Sequence, residues 1–229
     1  MALTGLDSKA APLALADPER AIAVTYAPAA ARSTLAALFA LDERLAGVLR
    51  TTSQPLIGQM RLTWWHEALA ALSAGAAPPP EPVLVALAEL DPDRTASLTR
   101  IVEGWEALLD EPLTLDAIRV HAVERGETLF AVAAPLCGIV ADDGIRAAGR
   151  GWALADVARH LSDRTLAEQA SAAAGEAMRA APRRWPRRAR PLGMLARLAR
   201  QDAAGAPAAP PASRRRVASM LWHALTGRA

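Results

Sequence analysis

Met60-Arg61-Leu62-Thr63-Trp64-Trp65-His66-Glu67-Ala68-Leu69 is the stretch on which the reading of the fold turns. It holds neither glycine nor proline, and its apolar residues return at the spacing of one helix face. On such a helix Arg61 and Trp65 stand four positions apart on one side with Ala68 beside them, while Trp64 turns towards Met60. Paired tryptophans can wall an apolar cavity, and an adjacent guanidinium can hold an anion through two parallel hydrogen bonds. The same residues also suit a plain helix–helix contact with the arginine stem lying along it.

The flanking sequence reads as more helix. Alanine supplies much of the 52% hydrophobic content, aromatics are only 4%, and alanine is the best intrinsic helix former. Asp17-Pro18-Glu19 is a start signal, with a capping carboxylate, a proline at the first helical position and an acid in the first turn. That helix ends before Pro28. A second runs from about Ala30 to Arg50, with Leu35, Leu38, Phe39, Leu41, Leu45 and Val48 as its apolar stripe. Ser53 caps the third, which carries Pro55 in its first turn and ends near Leu72. The proline-rich Ser73 to Pro82 is a connection. Further helices are expected over Val83 to Leu90, Arg94 to Leu109, Thr114 towards Pro135, Ile145 to Ala174, Leu192 to Gln201 and Val217 to Leu225. No alternating strand pattern competes, so an all-α fold follows. The expected organisation is one domain over 1–229, with a flexible start (1–16) and a low-complexity linker (203–212) before a short C-terminal helix.

Bulk composition excludes several functions. The formal net charge is +2, which offers no global footprint for nucleic acid. Cys137 is the single cysteine, so neither an internal disulfide nor a multi-cysteine metal site exists. Its apolar surroundings read as those of a buried, inert thiol. The opening MALTGLDSKAAPLALADPER lacks the basic region of a secretory signal. The most apolar run, Leu129 to Ala141, falls well short of the roughly 20 residues that span a bilayer. A cytoplasmic, soluble chain is expected, with peripheral contact to the inner membrane left open. Arg183, Arg184, Arg187, Arg188 and Arg190, around Trp185, can touch anionic lipid or serve as a solvated surface segment.

A second candidate site lies at Asp156, Arg159, His160 and Asp163. Spacings of three, four and seven place all four on one helix face. Two carboxylates facing a cavity can hold Mg²⁺ through oxygen, and the arginine can pair with phosphate. An ordinary solvated ladder of acids and bases reads equally from the same spacing. His66, His121 and His223 are isolated, and no phosphate loop, zinc motif or nucleophile elbow occurs.

In this order the segments resemble the squalene/phytoene synthase family, the head-to-head prenyl transferases. Asp17-Pro18-Glu19-Arg20 is similar to the family's opening Asp-Pro-Asp-Arg. Arg61-Leu62-Thr63-Trp64-Trp65 is similar to its Arg-Leu-x-Trp-Trp, and the likeness runs from Asp17 to Asp163. It implies an isoprenoid-synthase-like helical bundle around a central cavity, with Arg61, Trp64, Trp65 and Arg159 as substrate-binding residues. Active members hold Mg²⁺ and substrate diphosphate on two aspartate-rich motifs. At the matching positions this chain reads Arg44 and Val48 in the first, and Asp156, Arg159, His160 and Arg164 in the second. Asp163 stands one residue from the last of these, about 100° away on a helix. The resemblance is closer to the family's non-catalytic branch, typified by the mitochondrial complex I assembly factor. It implies a pseudoenzyme that binds a protein partner or an isoprenoid lipid and needs no cofactor. The alternative is a divergent prenyl transferase acting on prenyl diphosphates, with Mg²⁺ on Asp42, Asp156 and Asp163.

Overall fold

The computed structural model describes residues 13–52, 54–205 and 209–229. Asp17 opens α1 (Pro18–Thr25), its carboxylate accepting from the Glu19 and Arg20 amides. Just upstream, Glu43 accepts from the amides of Ala16 and Asp17 at 2.8 and 3.0 Å, which fixes the entry of the chain to the second helix. A single 3₁₀ turn leads into α2 (Arg32–Thr51), whose leucine, alanine and Phe39 stripe is buried as its spacing requires. The expected Ser53 cap lies outside the described residues. In α3 (Pro55–Ser73) the cap position falls at Gln54, which makes no side-chain capping bond.

Three short helices follow: α4 (Pro82–Leu87), α5 (Pro92–Ser97) and α6 (Thr99–Glu106). The helix expected from Arg94 to Leu109 is therefore two, divided at Leu98. The next passes from α7 (Leu115–His121) through a π turn (Ala122–Glu127) into α8 (Thr128–Leu136) without a break. The long helix expected from Ile145 to Ala174 is also two, α9 (Asp143–Ala158) and α10 (Arg164–Ala180). Asp163 lies past the end of α9: its carboxylate accepts from the Leu166 amide at 3.0 Å and caps α10. The chain closes with α11 (Arg190–Ala203) and α12 (Arg214–Thr226). Residues 206–208 of the expected linker lie outside the description, as do residues 1–12 of the expected flexible start.

Among the described residues there is no strand, and a lone bridge joins Arg184 to Arg228. One apolar cluster extends from Ala23 to Ala224. Helix α9 occupies its middle, packed on α8, α10, α11 and the π turn. The closest of these crossings sets the site. Gly126 in the π turn and Gly149 in α9 meet backbone to backbone, so that a Cβ on either would fall on the other's carbonyl. On the opposite side a Cβ at Gly104 of α6 would lie 2.8 Å from the Arg125 amide. Three glycines thus clamp the π turn between two helices and drive its Arg125 into the interior.

Candidate functional site

Arg125 has no solvent exposure at all. Its Nε and Nη2 donate to Oδ1 and Oδ2 of Asp42 on α2 at 2.7 and 2.8 Å, a bidentate pair. Nη2 also donates to Asp156 Oδ2 on α9 at 2.7 Å. Nη1 lies 3.2 Å from His121 Nε2. The other ring nitrogen, Nδ1, is 2.7 Å from the Gly104 carbonyl. A carbonyl only accepts, so Nδ1 carries the proton and Nε2 offers its lone pair to Arg125. The guanidinium is flanked by the rings of Trp105 and Trp152, at 4.4 and 4.5 Å. Trp105 Nε1 completes the shell by donating to Asp42 Oδ1 at 2.9 Å.

Arg20 brings a second cation. Its Nη1 is 2.9 Å from Asp42 Oδ2, close enough for an ion pair but out of line for a hydrogen bond. Two guanidiniums and two carboxylates therefore meet at the centre, and their charges cancel. Burial alone would raise the Asp42 and Asp156 carboxyl groups, but Arg125 and Arg20 outweigh it and hold both below the usual range. Burial, and then the neighbouring Arg125, pushes His121 down to about 3. The imidazole stays neutral, as its role of acceptor demands.

Two hollows open on either side of this cluster. One, of about 390 Å³, has apolar walls from Leu49, Leu108, Leu113 and Leu161, with Arg50 and Arg125 among its cations. The other, of about 360 Å³, is more polar and lies towards Glu19, Arg159, Asp202 and Arg216. Arg20 and Asp156 line both.

The sequence-predicted residues distribute unevenly around this centre. Asp42 and Asp156 come together, joined through Arg125. Asp163 does not join them, since α9 has ended and its carboxylate caps α10. Arg159 lines the polar hollow and pairs with Asp202 at 3.1 Å. Arg61 is exposed and donates to the hydroxyls of Thr51 and Thr52. Trp65 is buried and meets the half-exposed Trp64 edge to face, with ring centres 5.1 Å apart. None of Arg61, Trp64 and Trp65 lines either hollow.

The register of α2 also differs from the expected alignment. Arg44 points outwards, 3.7 Å from Glu81, and Val48 is buried away from the hollows. The positions that line the apolar hollow are Glu43, Ala46, Leu49 and Arg50. Arg164 is also at the surface, paired with Glu168 at 2.9 Å. Arg125, Arg20, Trp105 and Trp152 were not marked as site residues from the sequence. A signal existed for Arg125: with Ile118, His121, Leu129 and Val132 it shares an otherwise apolar face, where an unpaired charge is not tolerated.

The residues present do not fit Mg²⁺. That ion takes close to six oxygens in a tight octahedron. Both Asp42 oxygens already accept hydrogen bonds, Asp156 is tied to the same guanidinium, and the cluster has no negative charge to spare. Among the described residues no group of three or more histidine, cysteine, aspartate and glutamate side chains is placed to hold a metal.

The site is thus set in an all-helical bundle whose α2 and α9 aspartates meet through Arg125 between two hollows. The squalene/phytoene synthase family model matches residues 13–165, two thirds of the chain, and the chain belongs to that family. No curated protein and no solved structure matches it.

Proposed function

We propose that this chain is a non-catalytic member of the squalene/phytoene synthase family, a pseudoenzyme that binds a protein partner or an isoprenoid lipid. The observation that carries the proposal is the Arg125 guanidinium, held at once by Asp42 and Asp156. It stands between the two carboxylates that would otherwise face a metal, and a cation with five fixed donors cannot be displaced from two buried acids without leaving them unpaired. The apolar hollow with its cationic fringe suits a lipid with an anionic head. A partner protein is favoured by a different feature: Leu56, Ile57, Met60 and Trp64 form an exposed apolar stripe on α3.

The alternative, a prenyl transferase, draws on the same convergence. Asp42 and Asp156 share one Arg125 nitrogen, so a substrate that withdrew the arginine would free both for Mg²⁺. Diphosphate release from farnesyl or geranylgeranyl diphosphate, measured with and without Mg²⁺, separates the readings. No release above the uncatalysed background is expected. Mg²⁺-dependent release that disappears in Asp42→Asn and Asp156→Asn would establish the enzyme instead.

A further inference from the structure

The chain's charge is divided by position. From Arg179 to Ala229 there are twelve arginines and one acid, Asp202, a net charge of +11. The preceding 178 residues carry 14 bases and 23 acids, a net charge of −9. The near-neutral total conceals this division, and the basic stretch lies beyond the family match.

The fold gathers much of that charge at one end of α12. The Trp185 amide donates to the Gly227 carbonyl at 2.8 Å and the Ala229 amide to the Arg183 carbonyl at 3.0 Å. The segment carrying Arg183, Arg184, Arg187 and Arg188, all exposed, therefore runs beside the chain end and Arg228. Arg197 of α11 joins this group, donating to the Arg228 carbonyl at 3.3 Å and lying 4.5 Å from the Trp222 ring.

Helix α12 has two distinct faces. Arg216, Ser219, Met220, His223 and Ala224 are buried. Outwards, Arg214, Arg215, Ala218, Leu221, Trp222 and Leu225 recur at helical spacing. Leu221 and Trp222 are each 42% exposed and Leu225 is 80% exposed. Large apolar side chains at the centre, arginines at both ends of the helix and no acid from Ser213 to Ala229 make a surface that pairs with anionic headgroups while its leucines and indole enter the headgroup boundary. Nucleic acid would answer the arginines but leave Leu221 and Leu225 in water.

We infer that the outward face of α12, with the arginines around its C-terminal end, docks the protein on an anionic lipid surface. The test uses the full chain with vesicles of phosphatidylcholine alone and of phosphatidylcholine mixed with phosphatidylglycerol, at low and high salt. Co-sedimentation is expected with the anionic vesicles only, and weaker at high salt. Arg184→Gln combined with Arg228→Gln, two exposed arginines bridged at the end of α12, should lower partitioning about thirtyfold. Leu225→Ser, at an exposed position that leaves helical content unchanged, should lower it about tenfold and leave the salt dependence in place. Three results would overturn the inference. The first is an absence of vesicle binding, or equal binding to both vesicles. The second is a dimer that Leu225→Ser dissociates without any change at vesicles, which would assign the face to a second copy. The third is tight nucleic-acid binding indifferent to Leu225→Ser.

Discussion

His121 shows how the centre distributes its protons. A buried imidazole that accepts from Arg125 and donates to Gly104 cannot take up a second proton without placing a third cation beside Arg125 and Arg20. Its native pKa of about 3 lies below the ordinary value of 6.5, so below about pH 6.5 the unfolded chain binds a proton that the native chain refuses. Stability is therefore full above that pH and falls by about 1.4 kcal/mol per unit as pH drops towards the native value. His223, also held low by burial and then by Arg197 and Arg190, adds in the same direction. The depressed Asp42 and Asp156 act lower: their contribution is present above about pH 4 and is lost as pH falls further. Urea unfolding at pH 7.5 and at pH 5 should show the native chain losing about 2 kcal/mol through His121 alone. His121→Asn should remove that part of the loss. An unchanged loss in the variant would place the acid sensitivity elsewhere.

At the scale of elements, the π turn between α7 and α8 decides what reaches the centre. Its carbonyls and amides pass so close to α9 that Gly126 and Gly149 admit no side chain. Gly149→Ala must force the two backbones apart, which costs about 1–3 kcal/mol. The shift would also loosen the Arg125 contacts, so thermal unfolding should fall and the tryptophan fluorescence around Arg125 should change together. A variant as stable as the native chain would contradict so tight a crossing. Helix starts marked by Asp17, Pro55 and Thr114 were legible in sequence because capping and proline chemistry are local. The division at Arg159 to Ser162 was less so, although Ser162-Asp163 carries a cap signal that competes with reading Asp163 as a ligand. The meeting of Asp42 with Arg125 spans 83 residues, and no local rule reports a contact of that separation. What sequence did offer was the anomaly of His121 and Arg125 on an apolar stripe.

At the scale of the molecule, two largely buried ion clusters among the described residues tie the helices together. One is the central group around Arg125. The other joins the first helix to the last two: Arg216 of α12 makes a bidentate pair with Glu19 of α1, at 2.6 and 2.9 Å, and reaches Asp202 of α11 at 2.5 Å. Asp202 in turn receives Arg159. These internal pairs fill the region between α1, α9 and α12 with charges that answer one another. If Arg125 stands where a metal would otherwise be held, as proposed, metal binding itself reports it. Mn²⁺, a paramagnetic stand-in for Mg²⁺, can be titrated into the full chain and the free ion counted by electron paramagnetic resonance. No saturable site is expected, and the same result for the native chain and for Asp42→Asn. Stoichiometric, saturable Mn²⁺ binding by the native chain that is lost in Asp42→Asn would contradict it.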